Sequence, residues 1–166
     1  MGENYVMNNE GEYGQYIVQT LQAPKMSEGF KEFYKTYANR LLWMDGNVVP
    51  GAFQMNMAWY HSASECRPLL KHDEHSHDTD EMIGFIGSNP EDPYDLGAEI
   101  EIGINGEMHR LTKSSIIFIP GGMKHLPLSI ISLDRPVLHF SISLNSTYAY
   151  KPTATGEATD LTEKED

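Results

Sequence analysis

The sequence has 166 residues, one cysteine and a formal net charge of −12 at pH 7. This length is typical of a single domain, and the lone Cys66 excludes a disulfide within the chain, which favours a reducing compartment. The negative charge repels phosphate backbones, so we expect no nucleic-acid partner. No apolar run approaches the roughly 18 residues that span a bilayer, and the polar N-terminus lacks the pattern of a secretory signal. We therefore expect a cytoplasmic protein without membrane contacts.

The first patterned segment predicts one amphipathic helix from Ser27 to Leu41. Ser27 is a suitable N-cap residue, and apolar side chains follow it at helical spacing. These side chains belong to Phe30, Phe33, Tyr34, Tyr37 and Leu41. An aromatic stripe of this kind is more typical of core packing than of a cofactor site.

Beyond the helix the hydrophobic period becomes two, which predicts strands. The predicted strands cover residues 53–60, 82–86, 100–104, 115–119, 126–132 and 136–144. Asn105-Gly106 lies between alternating segments and predicts a type I′ hairpin, which sets Glu101 opposite Arg110 as a cross-strand charge pair. One helix followed by a series of short strands predicts an all-β barrel or sandwich.

These patterns divide the chain into three segments. Residues 1–50 are predicted to be an N-terminal extension with one amphipathic helix, and residues 51–150 to be the barrel. Residues 151–166 are acidic and rich in threonine, with little hydrophobic content, so we expect a disordered tail. The sequence shows no internal repeat and no second domain.

Several histidines and acidic residues cluster before residue 82. His75 and His77 are two residues apart, so on a strand both imidazoles lie on one face and can reach one metal ion. Glu81 would be ~13 Å beyond His77 along a straight strand, too far to share that ion. The chain must therefore bend at the turn-prone Asp78-Thr79-Asp80 and bring Glu81 back on the next strand. The alternative is a solvated, charged loop.

A second segment contains the sequence Pro120-Gly121-Gly122-Met123-Lys124-His125. Pro and Gly predict a tight turn after the strand that ends at residue 119, and His125 then begins the next strand, where it can face inward. Alone, this pattern is a weak signal for a metal ligand. It gains weight because a second, independent histidine segment precedes it in the chain.

Together the two segments resemble the two signature motifs of the cupin family. The matching patterns are His75-x-His77-x3-Glu81, followed by Gly87, and Pro120-x-Gly122-x2-His125. The resemblance covers roughly residues 53–144. It implies a double-stranded β-helix, the cupin jelly-roll barrel, in which these three histidines and Glu81 ligate one metal ion.

Three imidazoles and one carboxylate suit divalent Fe, Mn, Ni, Co, Cu or Zn. On an octahedral ion this set leaves two neighbouring positions open for a small-molecule ligand. Glu81 would also act in catalysis, because its charge tunes the ion. His139 is a candidate acid–base group if the polar face of the last strand lines the cavity, and the alternative is a structural histidine. Polar Gln54, Asn56 and Tyr60 orient the ligand if their strand face is the inner one.

The resemblance leaves the reaction open, because one fold hosts many functions. The first hypothesis is a metal-dependent oxygenase, isomerase or lyase acting on a small polar organic molecule. The second is a binding or sensing module without turnover, and the third is a barrel with a vestigial site. Four intact ligand positions argue against the third, and the absence of an output domain in the sequence favours the enzyme. We also expect a homodimer, with the N-terminal aromatic segment as a candidate interface.

Overall fold

The computed structural model describes residues 5–64, 74–145 and 151–152. Cys66 and residues 153–166 of the predicted tail lie outside these ranges. In chain order the regular elements are a 3-10 turn (Gly14–Tyr16), α1 (Glu28–Lys35), β1 (Ala38–Met44), β2 (Gln54–Tyr60), β3 (His75–Ser76), β4 (Glu81–Gly87), β5 (Asp95–Ile104), β6 (Glu107–Lys113), β7 (Ser115–Ile119), β8 (His125–Leu133), β9 (Val137–Ser143) and β10 (Lys151–Pro152). No helix in these ranges is long and apolar enough to cross a membrane.

Two five-stranded antiparallel sheets build the molecule. Sheet A has the strand order β1-β2-β9-β4-β7, and sheet B has the order β10-β3-β8-β5-β6. Most neighbouring strands are distant in sequence, as in the pairs β2 with β9 and β5 with β8. This arrangement, with one short α-helix among the residues that the structure describes, confirms the predicted all-β jelly roll.

The hydrophobic core lies between the inner faces of the two sheets, because alternate side chains of each strand point to the same face. The fully buried apolar side chains include Phe85, Leu96, Ile100, Ile102, Ile119, Ile130 and Val137. At one end of sheet A the inner positions are polar instead. There Gln54 pairs with Ser143, which pairs in turn with Glu81. We call these three residues the polar row.

The helix α1 is shorter than the sequence predicts. Ser27 caps it as expected, because its Oγ accepts a hydrogen bond from the Phe30 amide at 3.3 Å. The helix ends at Lys35, and β1 then pairs with β2, so the predicted continuation to Leu41 is wrong. The pairing with β2 gives these backbone groups a ladder of hydrogen bonds, and that tertiary context overrides the local periodicity. The barrel sheet thus reaches back into residues 1–50.

The aromatic stripe of the N-terminal segment packs on the barrel. Phe33 and Tyr34 lie against the hydrophobic core, and Tyr37 is part of it. The Tyr37 ring meets the Tyr60 ring edge to face, with centroids 5.9 Å apart. These contacts agree with the core-packing interpretation of the stripe.

The predicted hairpin is present with the predicted register. Asn105 has a φ of 48° and Gly106 a φ of 85°, the pair of positive values that a type I′ turn requires. Glu101 lies opposite Arg110, and the Arg110 Nε donates a hydrogen bond to Glu101 Oε1 at 3.0 Å. A second acidic residue, Glu99, lies 2.9 Å from the same guanidinium. The turn chemistry alone was sufficient to predict this local structure.

Candidate metal centre

Three histidines meet at one end of the barrel. His75 in β3 pairs with His125 at the start of β8, and His77 follows β3 directly. One ligand nitrogen of each ring lies within 4.8 Å of those of the other two. The ring centroids are 4.4 Å apart for His75 and His125 and 4.9 Å apart for His75 and His77. The two segments that the sequence singled out therefore converge in space.

Glu81 adjoins two of these histidines. The chain bends between His77 and Glu81, and Glu81 begins β4. Its Oε2 lies 3.0 Å from His125 Nε2 and 3.3 Å from His77 Nε2. The residue is only 6% exposed, yet this oxygen has no hydrogen-bond partner of acceptable geometry in the described ranges. The atoms lie close enough together to become ligands of one shared ion.

The surroundings of Glu81 keep its carboxyl group ionised. Burial raises the pKa of this group, but the contacts with His125 and His77 outweigh burial and lower the pKa to about 2. A carboxylate is therefore present at neutral pH. Because a buried anion is costly unless a positive charge compensates it, this position favours a bound cation.

Two hydrogen bonds donated by backbone amides hold the two ligand segments together. The Gly122 amide donates to the carbonyl oxygen of His77 at 2.7 Å, and the Gly121 amide donates to Asp80 Oδ1 at 2.8 Å. Gly122 has a φ of +83°, a conformation that glycine adopts without steric cost. The glycines of the second motif thus dock its loop onto the first motif, and His125 follows at once.

The donor set fits a divalent transition metal. An ion about 2.1 Å from each nitrogen holds its ligand atoms about 3.0–4.2 Å apart. The three histidine nitrogens, all within 4.8 Å of one another, need only small side-chain rotations to reach such an arrangement. Glu81 is not part of this group of three, although it contacts His77 and His125. Imidazole and carboxylate ligands suit divalent Fe, Mn, Ni, Co, Cu or Zn.

His139 lies deeper in the barrel than the metal ligands. It pairs with Phe85, four residues along β4 from Glu81, which is ~13 Å along a strand. Its ring stacks on Tyr60 and Phe85, with centroids 5.0 and 5.1 Å away, and its Nδ1 lies 3.1 Å from the Gly84 carbonyl oxygen. Burial lowers the pKa of His139 to about 4. This packing favours the structural alternative over an acid–base role.

The inner face of β2 carries the polar residues that the sequence left undecided. Gln54 and Tyr60 are buried, whereas Phe53 just before the strand is exposed. On β9, Ser143 is buried, and its hydroxyl lies 3.3 Å from Thr79 Oγ1. The sequence analysis did not single out Ser143 and Thr79 as site residues. Ser143 alternates with outward-facing residues along β9, but alternation does not tell which face is the inner one, and Thr79 lies in the turn before β4, where no periodicity marks it.

The two-sheet topology and the histidine triad define a cupin-fold protein with a metal-binding type of site. This assignment rests on the strand order, on the two motifs and on the convergence of His75, His77 and His125. No protein-family model and no curated protein sequence matches the chain.

Solved structures that resemble the chain are enzymes of several reaction types. An oxalate oxidase in complex with glycolate is 12% identical, with a TM-score of 0.48 over 82% of this chain and 62% of that chain. A mutant of oxalate decarboxylase OxdC from Bacillus subtilis is 14% identical, with a TM-score of 0.47 over 80% and 30%. The DMSP lyase DddQ from Ruegeria pomeroyi is 17% identical, with a TM-score of 0.41 over 83% and 61%. The chain spans less than two thirds of each of these proteins, and likenesses of this level carry no argument about its reaction.

Proposed function

We propose that the chain is a metal-dependent enzyme acting on a small polar organic molecule, with His75, His77, His125 and Glu81 as the ligands of one divalent transition metal. The observation that carries the proposal is the meeting of three imidazoles and a buried carboxylate at one end of the barrel. When bound, the metal supplies Lewis acidity and a template for an oxygen-rich ligand. The reaction class is oxygenase, isomerase or lyase.

The ligand residues set the net charge of the metal complex and limit its contact with water. Three neutral imidazoles leave an ion its full +2 charge, and the Glu81 carboxylate lowers the net charge to +1. The lower charge weakens Lewis acidity and makes a redox-active ion easier to oxidise. Burial of His77, His125 and Glu81 keeps bulk water away, which strengthens every electrostatic interaction at the site.

A binding module without turnover is the second candidate function, and the placement of His139 favours it. His139 lies on the inner face of β9, and its ring stacks against Tyr60 and Phe85. A group packed in this way is poorly placed to exchange protons with a ligand at the metal centre. A turnover screen with diketones, enediols and hydroxy acids on metal-loaded protein separates the two functions.

The metal assignment is tested by elemental analysis of the purified chain. We expect one transition metal per chain, and at least a tenfold lower occupancy after the double substitution His75→Ala and His77→Ala, because two ligands are lost. His109→Ala is the matched control, since His109 lies on β6 and contacts Glu107 instead. Full occupancy in the double variant would refute the assignment.

We further propose a homodimer formed through the outer face of sheet A at β4, β7 and β9. The outward residues there are uncharged, although the chain carries a net charge of −12. Met82, Ile116 and Phe118 are 41%, 65% and 59% exposed. The three strands offer a projected face of roughly 14 by 23 Å, well below the ~800 Å² of accessible surface that each partner of a standard interface buries. We choose this face over the N-terminal aromatic stripe, which packs on its own barrel.

The oligomeric state tests this second proposal. Sedimentation velocity of the full chain should show a dimer, and Ile116→Glu with Phe118→Glu should shift it to a monomer, because four charges would then meet across the interface. Met108→Glu on β6 is the control, since Met108 is a similarly exposed residue of sheet B. A dimer that persists in the double variant would exclude this face.

A further inference from the structure

The side chain of Gln54 is buried without a hydrogen-bond partner. The residue is 1% exposed, and within the described ranges neither its Oε1 nor its Nε2 makes a hydrogen bond. Leaving a buried polar group unpaired is costly, so a native protein rarely leaves both atoms of an amide unpaired. Both atoms of this amide are therefore available for hydrogen bonds to a bound ligand.

The amide belongs to the same end of the barrel as the metal ligands. Gln54 pairs with Ser143 and Ser143 with Glu81, so the three residues lie in one row across sheet A. Two strand spacings separate the Cα atoms of Gln54 and Glu81, a distance of about 10 Å. Both side chains point inward, and a skeleton of roughly four carbon atoms can therefore bridge an ion beside Glu81 and the Gln54 amide.

The strand pairing places Ser143 beside Gln54 and Asp45 directly after Met44, the partner of Met55, and both polar side chains are already engaged. The Ser143 hydroxyl lies 3.3 Å from Thr79 Oγ1. The buried carboxylate of Asp45 accepts hydrogen bonds from the backbone amides of Asn47 and Val48, at 2.9 and 3.1 Å. The backbone amide of Gln54 donates to the Asn145 carbonyl oxygen at 2.8 Å, which fixes the strand but leaves the side chain free. The amide is thus held in place without a partner.

The donor and acceptor atoms of the Gln54 amide determine which ligand groups can hydrogen-bond to it. Oε1 only accepts hydrogen bonds and Nε2 only donates them, so a complementary group presents a donor and an acceptor side by side. A carboxamide and a vicinal diol both do so. A second carboxylate does not, because it offers acceptors alone and adds a negative charge near Glu81.

We propose that Gln54 binds the distal end of the metal-chelated ligand, and that this ligand is a small hydroxy acid carrying a carboxamide or a vicinal diol about two carbon atoms beyond its chelating oxygens. The proposal rests on the proposed metal centre. It adds a specificity residue, Gln54, which hydrogen-bonds the distal group of the ligand, whereas the metal coordinates the chelating oxygens at the other end. A site built around buried polar groups rejects ligands that leave those groups unpaired.

Four probes separate the contributions of the two ends. Glycolate carries the chelating hydroxy acid alone, and malate adds a carboxylate. Malamate, the amide of the distal carboxyl group of malate, and threonate, with a vicinal diol, add the complementary groups. Calorimetric titration of Co(II)-loaded protein measures the Kd of each probe in the natural chain, in Gln54→Met and in the exposed-site control Gln22→Met.

We expect the ratio of the malate Kd to the malamate Kd to fall roughly tenfold in Gln54→Met, since two hydrogen bonds to the amide are lost. The glycolate Kd should stay within about twofold, and Gln22→Met should match the natural chain. Threonate shows whether a diol serves as well as an amide. A malate-to-malamate ratio that is unchanged in Gln54→Met would overturn the inference while leaving the metal centre intact, whereas failure to bind Co(II) would overturn both.

A second readout needs no metal. If the Gln54 amide has no hydrogen-bond partner in the ligand-free protein, replacing it by the apolar Met removes an unpaired polar group. In the presence of a chelator, the melting temperature of Gln54→Met should therefore equal or exceed that of the natural chain. A clear fall in melting temperature, absent in Gln22→Met, would show that the amide serves the fold and would overturn the proposed role.

Discussion

The His139 imidazole should make the stability of the metal-free barrel depend on pH. Its ring is enclosed by Tyr60 and Phe85, and burial lowers its pKa from 6.5 to about 4, although the Gly84 carbonyl oxygen and the charge of Glu81 oppose this shift. The folded state therefore keeps the ring neutral at a pH where the unfolded chain takes up a proton. The resulting stability is complete above about pH 6.5 and is lost as the pH falls towards 4.

The magnitude follows from the two pKa values. A shift from 6.5 to about 4 corresponds to about 3 kcal/mol in full, at 1.36 kcal/mol per pKa unit. Between pH 7 and pH 4.5 the loss assigned to this one group is about 2.5 kcal/mol. Other ionisable groups titrate in the same interval, so only a comparison between variants isolates this contribution.

Urea unfolding in the presence of a chelator measures the effect. The free energy of unfolding is compared at pH 7 and pH 4.5 for the natural chain and for His139→Gln, whose amide can still donate to the Gly84 carbonyl oxygen. We expect the drop in stability to be about 2.5 kcal/mol smaller in the variant. His109→Gln, at a half-exposed histidine of β6, should behave like the natural chain. Equal pH dependence in the natural chain and in His139→Gln would refute the reasoning.

Three further predictions concern the metal centre and the hairpin. Metal occupancy should fall below about pH 6.5, because imidazoles must be neutral to ligate, and constant occupancy down to about pH 4 by elemental analysis would contradict histidine ligation. Glu81→Gln keeps the side-chain shape but removes the charge, so it should retain most of the metal while product formation changes; an unchanged reaction rate would exclude a tuning role. Gly106→Val forces a β-branched residue into positive φ and should cost roughly 1–2 kcal/mol in thermal unfolding without changing metal stoichiometry, whereas an unchanged melting temperature would be inconsistent with the turn.

Features with a local cause were predictable from the sequence. The register of the hairpin follows from Asn105-Gly106, because few residues tolerate two consecutive positive φ values. The bend between His77 and Glu81 follows from the distance that a straight strand would impose. The convergence of both segments with His125 was implied by the resemblance of the two motifs, and the observed grouping of the histidines is consistent with it.

Features decided by tertiary pairing were not predictable in the same way. Residues 36–41 continue an apolar spacing that also fits a helix, yet β1 begins at Ala38 because an adjacent strand supplies its hydrogen-bond partners. The alternation along β2 separates Gln54 from Phe53 but does not tell which of them faces inward. That choice depends on the opposing sheet, which no local pattern of β2 describes.

The polar row explains why hydrophobicity alone misassigns the inner face of sheet A. On β9 the apolar Leu138, Phe140 and Ile142 face outward, and the inner face carries serines and His139. A sheet that served only to close a core would place these residues the other way round, because burial of apolar area is the main driving force of folding. Such a departure from the local rule is expected where a site must be built. The apolar outer face of sheet A and its polar inner end are therefore two consequences of one arrangement: where the inward-facing side chains of a strand are polar, its apolar side chains lie on the outer face.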